Sequence, residues 1–140
     1  MSGIDLIQPQ DLAVPKGEYT PVSRVAGGSL VFIAGQVAIG LDGEVVGRDD
    51  FAVQFRATID NLRRALASVG QDFDSIVKLS TYMVDAENLV SFNRLRKETF
   101  PGLFSDGRYP PNTLVVVRQL ARPELLIEIE AIAAEVKPLV

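Results

Sequence analysis

The chain has 140 residues, of which 47% are hydrophobic, enough for one domain with a substantial core. Its 14 Lys and Arg and 18 Asp and Glu give a net charge of -4. That balance argues against a nucleic-acid partner, whose phosphates attract clustered positive charge, and gives no support for binding to an anionic membrane. The absence of Cys and His excludes thiol nucleophiles, Ser-His triads and the usual Cys- or His-ligated metal sites.

The N-terminal residues 1–18 contain Pro9, Pro15 and Gly17 and are predicted to be irregular. They lack the basic and apolar regions of a secretory signal. The longest apolar stretch, residues 30–41, is broken by glycines and is too short to span a bilayer. We therefore expect a cytoplasmic protein with a single domain over residues 1–140 and no membrane partner.

Strands are predicted next, at residues 22–26 and 29–34, on either side of a Gly27-Gly28 turn. A short edge strand is predicted at residues 45–46.

The clearest local signal is a helix between Asp50, a preferred N-cap residue, and Gly70, a typical stop. Apolar residues recur between them at every third or fourth position, which is typical of a helix with one buried face. They are Phe51, Phe55, Ile59, Leu62, Leu66 and Val69.

Residues 75–84 alternate as a strand, with Val77, Leu79, Thr81 and Met83 on one face. A second helix is predicted after Asp85, with Leu89, Phe92 and Leu95 as its buried stripe. It is predicted to end near Phe100, because Pro101 disfavours helix at the residue before it.

The last third of the chain is predicted to be a hairpin. Its two strands, residues 112–118 and 125–134, are joined by a turn at 121–124. The element order predicts an α+β fold with two helices on one face of a sheet. Because apolar residues exceed what one sheet face can hold, we expect copies of the chain to cover the other face.

Two carboxylates, Glu128 and Glu130, fall on the same face of the last strand, about 6.8 Å apart along it. Such a pair suits general acid/base work. From the spacing alone, however, the preferred explanation is that both face solvent or pair with Arg118 across the hairpin.

Other candidate site residues are Gly35, Tyr19, Asn93 and the rigid entry at residues 109–112. Glycine at the end of a strand lets a ligand approach the backbone, although a bulge or turn is the commoner reason for it. Tyr19 precedes a strand and Asn93 lies within a helix, and both also have structural explanations.

Together these segments resemble the RidA/YjgF superfamily of reactive-intermediate deaminases, also called the endoribonuclease L-PSP family. The resemblance covers nearly the whole chain. It rests on segments in the second strand, both helices and the third strand, and above all on residues 127–133. Those segments are residues 30–36, Gln54, Asn61-Leu62, 76–78, 82–85 and Phe92-Asn93.

The resemblance implies a chorismate-mutase-like α+β fold and a homotrimer with ligand sites between subunits. It implies hydrolysis of small enamines and imines, such as 2-aminoacrylate or its 2-imino acid tautomer, to keto acids and ammonia, without metal or organic cofactor. A glutamate at the position of Glu128 orients water in the family, and residues matching Tyr19, Gly35 and Asn93 line the cleft.

The sequence departs from the family at Asn112, which stands where an arginine clamps the substrate carboxylate. Asparagine carries no charge and no planar fork of donors, which lowers affinity for a carboxylate. Arg96 replaces a family aromatic one helical turn after Asn93. It either supplies a replacement charge or is a solvated arginine of the helix face, and the second interpretation is the one we expect.

Three functions are therefore compared. The first is an imine or enamine hydrolase for substrates without a free carboxylate, in which Glu128 positions water while Gly35, Asn93 and Asn112 bind polar groups. The second is a non-catalytic trimer that binds a metabolite or a protein in the same cleft. The third, a ribonuclease, ranks last because of the net charge of -4 and the absence of His.

Overall fold

A computed structural model describes residues 3–136. Within this range, six strands and two α-helices follow one another. They are β1 (Ile4–Ile7), β2 (Val22–Val25), β3 (Ser29–Val37), α1 (Phe51–Ala67), β4 (Ile76–Met83), α2 (Leu89–Thr99), β5 (Asn112–Val116) and β6 (Ile127–Glu135). Short 3-10 turns lie at Phe73–Ser75, Ala86–Asn88 and Phe100–Gly102.

The main sheet has four strands in the order β3-β6-β4-β5. β6 is antiparallel to both of its neighbours, whereas β5 is parallel to β4. The two helices pack on this mixed sheet, which confirms the predicted α+β class. Within the described residues 3–136, neither helix is long and apolar enough to cross a membrane.

The predicted closing hairpin is wrong, because β4 lies between β5 and β6. Helix α2 carries the chain back so that β5 runs parallel to β4, as a crossover connection requires. The following segment then passes the end of β4, where Val117 N donates to Met83 O at 2.7 Å and Val84 N donates to Leu126 O at 3.4 Å. This segment is longer than the tight turns that join paired strands.

Helix α1 is confirmed at both ends. The Asp50 side chain accepts a hydrogen bond from Val53 N at 3.1 Å, which satisfies one of the free amides of the first turn. Gly70 has a φ of +72°, a conformation that other residues rarely adopt. The predicted apolar stripe packs on the sheet as far as Leu66, with Phe55, Leu62 and Leu66 fully buried, whereas Val69 lies beyond the end of the helix and is 40% exposed.

The N-terminal segment differs from the irregular structure predicted for residues 1–18, since β1 pairs antiparallel with β2. Pairing with a distant segment supplies the ladder hydrogen bonds that four residues cannot provide alone. The predicted edge strand at 45–46 is reduced to an isolated bridge between Ile39 and Val45.

The two faces of the main sheet differ in character. On β6 the side chains of Ile127, Ile129 and Ala131 are buried against the helices, whereas Glu128 and Glu130 lie on the opposite, open face. Phe32, whose register partner Ile132 lies on that open face, is 72% exposed. The sheet therefore presents carboxylates and exposed apolar side chains on the face that the helices leave uncovered.

Candidate functional site

The centre of the candidate site is the carboxylate of Glu128, which lies against the backbone of Gly35. The ladder between β3 and β6 is irregular between Ile33 and Gln36, and Gly35 lies within that irregularity. A β-carbon at Gly35 would collide with the Glu128 carboxylate and would lie 2.6 Å from its Cδ. Glycine is thus required at this position for Glu128 to keep its orientation.

The surroundings of Glu128 favour its protonated form more than water does. Burial raises the pKa of the half-buried Glu128 carboxyl, and the neighbouring charge of Glu130 raises this pKa further. Perturbed carboxyls of this kind are concentrated at functional sites.

A tyrosine and a second carboxylate complete the polar wall. Tyr82 is the register partner of Glu128 in the ladder between β4 and β6, and its hydroxyl donates to Glu130 Oε1 at 2.7 Å. This hydrogen bond is the main cause that raises the pKa of Tyr82. The three side chains and Gly35 border an open cleft of about 390 Å³, which Val117, Gln119, Leu120 and Ala121 also line.

The start of β6 is held in place by a buried glutamine of α1. Gln54 is fully buried, and its Oε1 accepts from Leu126 N at 2.8 Å. Its Nε2 donates to Glu124 O at 2.9 Å and to Gly47 O at 3.1 Å. Buried amides that satisfy both their oxygen and nitrogen fix local structure, so Gln54 fixes the segment that precedes Glu128.

A second cluster forms around Arg96 and contains the predicted residues Tyr19 and Asn93. Arg96 is 6% exposed, and its Nη2 donates to Asn93 Oδ1 at 3.3 Å. Its Nε lies 3.3 Å from Glu18 Oε2, and its guanidinium lies 5.9 Å from the Tyr19 ring. Burial lowers the pKa of Arg96, whereas Glu18 opposes this effect.

The expectation of a solvated Arg96 is therefore wrong. Its guanidinium also lies 5.0 Å from the Phe92 ring, one helical turn earlier on the buried stripe. The backbone of Gly17 comes so close that a β-carbon there would collide with Arg96 Nη2. Arg96 thus ties residues 17–19 to α2 and has its charge matched by Glu18.

Asn112 does not join Glu128 within one protomer. It is the register partner of Leu79, and its Oδ1 accepts from Thr81 Oγ1 at 3.0 Å. Thr81 is 2% exposed and pairs with the buried Ile129, on the face covered by the helices. The expected position of Asn112 opposite Glu128 fails because β4 separates β5 from β6.

The fold and these segments match a known family model. The model described as Endoribonuclease L-PSP covers residues 11–135. The chain belongs to this family, the RidA/YjgF superfamily. A RutC family protein of Pyrococcus abyssi is 30% identical over 120 residues, which are 85% of this chain and 87% of that protein.

Solved structures of the RidA/YjgF superfamily agree with this assignment. A protein of unknown function of the conserved Rid family from Yersinia pestis has a TM-score of 0.83 and 30% identity, over 95% of this chain and 99% of that one. TdcF of E. coli, solved with bound serine, has a TM-score of 0.69 and 26% identity, over 94% of this chain and 99% of that one.

Sequence reasoning missed two residues that line the Glu128 cleft, Tyr82 and Glu130. It gave Glu130 no role in any of the three functions compared, and it used Tyr82 only as part of the resemblance. The alternation of side chains along β4 already placed Tyr82 on the face away from the core. The same alternation along β6 placed Glu130 on the same face as Glu128. Pairing β4 with β6, rather than β5 with β6, would have brought the three together.

Proposed function

We propose that this member of the RidA/YjgF superfamily is a cofactor-independent hydrolase that releases ammonia from small imines or enamines lacking a free carboxylate. The observation that carries the proposal is the Glu128 carboxylate, half-buried at the edge of a small cleft and held against Gly35. A carboxylate with a raised pKa is a better base toward water than an exposed one, because its basicity lies nearer neutral pH.

The reaction needs only water and one proton carrier. The Glu128 carboxylate accepts a proton from water while the water oxygen bonds to the carbon of the protonated imine and the C=N π pair moves to nitrogen. The protonated Glu128 returns that proton to nitrogen. The C–N bond then breaks with its electron pair on nitrogen, Glu128 takes the hydroxyl proton of the new carbonyl, and it passes this proton to ammonia.

The absence of a substrate carboxylate is supported by the charges around the cleft. Glu128 and Glu130 border it, and none of its other lining residues is cationic. A substrate carboxylate about 4 Å from one of these two glutamates would be repelled by roughly 1 kcal/mol in water and roughly 4 kcal/mol near a protein surface. Asn112, at the position of the family arginine, is engaged with Thr81 on the other face.

A homotrimer with clefts between its subunits is part of this proposal. The exposed Phe32 and Leu30 give the open sheet face an apolar surface of the kind that copies of a chain cover. Tyr19 and Asn93 lie together at Arg96, in a cluster separate from the Glu128 cleft. A neighbouring subunit would supply Tyr19 and Asn93 to the Glu128 cleft. A cytoplasmic location is also part of the proposal.

Ammonia release from a panel of small imines, with and without carboxylates, tests the proposal. We expect turnover above the uncatalysed rate for the uncharged members and a loss of about 100-fold or more in Glu128→Gln. Glu98→Gln is the matched control, because Glu98 is an exposed carboxylate of α2 paired with Arg94 at 3.4 Å. Equal rates for the native protein and Glu128→Gln would eliminate the hydrolase.

The alternative is a non-catalytic trimer that binds a small metabolite or a protein in the same cleft. It is favoured by the engagement of Asn112 with Thr81, which leaves the family's substrate-clamping position unavailable. The bound serine in TdcF also supports a small polar ligand. If no imine is turned over and Glu128→Ala leaves ligand binding unchanged by calorimetry, this alternative replaces the hydrolase.

A further inference from the structure

Tyr82 lies on the wall of the Glu128 cleft with its hydroxyl held in one orientation. It neighbours Glu128 across the ladder, at the separation of about 4.5–5.5 Å between β-carbons typical of such pairs. Its hydroxyl donates to Glu130 Oε1 at 2.7 Å, and Glu130 is two residues from Glu128 on the same strand face. Tyr82 and Glu130 both line the Glu128 cleft.

This orientation decides what Tyr82 offers to a ligand. A phenol has one proton, and here that proton is directed at Glu130, so the lone pairs of the hydroxyl oxygen are left to accept hydrogen bonds. The same carboxylate raises the pKa of Tyr82, so the hydroxyl keeps its proton at neutral pH. The Tyr82 hydroxyl and the Glu130 carboxylate consequently present acceptors to a ligand beside Glu128.

We infer that Tyr82 contacts the substrate by accepting a hydrogen bond from the N–H of a protonated imine, and that Glu130 is the positioning residue that orients the Tyr82 hydroxyl. This inference rests on the proposed hydrolase and deepens it. Glu128 would direct water to the carbon, while Tyr82 and the charge of Glu130 bind the nitrogen end. The substrate class is then a small iminium that carries at least one N–H.

The contact fits the course of the reaction. The nitrogen carries two N–H groups in the iminium, two in the carbinolamine and three in the ammonium that precedes C–N cleavage. Tyr82 therefore has a donor to accept from at every stage, and no proton leaves or enters its own hydroxyl. Hydrogen bonds that involve a charged donor are stronger than neutral ones, so the contact selects the protonated nitrogen.

The test compares two iminium ions of acetone, added as preformed salts. The one derived from ammonia has two N–H groups, and the one derived from dimethylamine has none. We expect the native protein to prefer the first by about 10-fold or more in kcat/KM for acetone formation, the value of one good hydrogen bond. Tyr82→Phe should lose most of this preference, whereas Tyr109→Phe, in the aromatic cluster with Phe100 and Phe104, should retain it.

Variants at Glu130 separate positioning from packing. Glu130→Gln keeps an oxygen that accepts from the Tyr82 hydroxyl, whereas Glu130→Leu keeps the bulk and removes the acceptor. We expect Glu130→Gln to retain the N–H preference and to move the acid limb of the pH–rate profile to lower pH, since the charge beside Glu128 is removed. Glu130→Leu should lose the preference. Identical behaviour of the two variants would rule out the positioning role.

A binding measurement tests the contact between Tyr82 and the nitrogen independently of the proposed hydrolase activity. If the imines turn over but Tyr82→Phe keeps the full N–H preference, the inference is wrong and the hydrolase stands. If no imine turns over, calorimetry with isopropylammonium decides. Binding that weakens several-fold in Tyr82→Phe but not in Tyr109→Phe upholds the nitrogen contact, and equal binding by both variants overturns it.

Discussion

Gly35 lies in the irregular part of the ladder between β3 and β6, directly against the side chain of Glu128, so that the missing side chain of one makes room for the carboxylate of the other. The atoms that a β-carbon at Gly35 would meet are Oε1, Cδ and Cγ of Glu128, all in the flexible part of that side chain. The relationship therefore constrains the direction of the carboxylate more than the stability of the fold.

Gly35→Ala should reduce activity strongly and stability little. The added methyl group forces the Glu128 carboxylate out of its position, and misplacing a catalytic group by about 1 Å can cost about 100-fold in rate. We expect a fall of that order in kcat with a change of less than about 1 kcal/mol in the free energy of unfolding, because Glu128 can rotate away. Gly102→Ala is the control, since a β-carbon there meets nothing within 4 Å. A fully active Gly35→Ala variant would show that the carboxylate need not occupy this position.

The raised pKa of Glu128 predicts the pH dependence of both activity and stability. The hydrolase needs the carboxylate ionised, so activity should fall as pH decreases through a pKa above the ordinary carboxyl value. The folded protein binds this proton more tightly than the unfolded chain, so the contribution of Glu128 to stability decreases as pH rises through the folded pKa. Glu128→Gln should therefore be more stable than the native protein at about pH 7, and urea unfolding should show that difference disappearing near pH 3.5. A variant less stable at neutral pH would contradict the burial argument.

Local patterns were sufficient to predict the elements whose signals are contained in a few residues. Asp50 and Gly70 bound α1 because a cap and a stop act on the adjacent backbone. The alternation of β4 placed Leu79 and Met83 in the core correctly. The alternation of side chains along β6 was also sufficient to place Glu128 on the face opposite Ile127 and Ile129.

Strand partners and buried charges could not be predicted in the same way. Neighbouring strands in sequence favoured a hairpin, and nothing local showed that α2 would return β5 to the far side of β4. The burial of Arg96 depends on Glu18 and Gly17, which are distant in the sequence and meet it only in the fold. The interpretation of Asn112 and Tyr82 changed for the same reason. The position of each relative to Glu128 depends on which strands pair with β4.

Arg96→Met should destabilise the fold and release the segment that carries Tyr19. The substitution preserves apolar bulk on Phe92 but leaves Glu18 without its partner, and breaking a buried ion pair on one side costs about 3–5 kcal/mol. Because Glu18 keeps some exposure, we expect about 2–3 kcal/mol by chemical denaturation. Faster tryptic cleavage after Lys16 should accompany the loss.

The control for this substitution is Arg94→Met on the same helix. Arg94 pairs with Glu98 at 3.4 Å, but both side chains are about half exposed, and such pairs contribute at most about 1 kcal/mol. If Arg94→Met and Arg96→Met cost the same, Arg96 does not hold residues 17–19 through a buried pair.

Asn112→Arg restores the family residue in sequence, yet we expect no gain in activity toward 2-iminopropionate. The Asn112 side chain points to Thr81 on the helix-covered face, so an arginine there would begin on the wrong side of the sheet from Glu128. It would also leave the buried Thr81 hydroxyl without its acceptor, which costs about 1–3 kcal/mol and should lower the melting temperature. Asn112→Asp retains an acceptor oxygen and should melt near the native temperature. A gain of 10-fold or more in ammonia release by Asn112→Arg would instead mean that residue 112 reaches the cleft in the assembled protein and that its charge alone separates this chain from carboxylate-binding relatives.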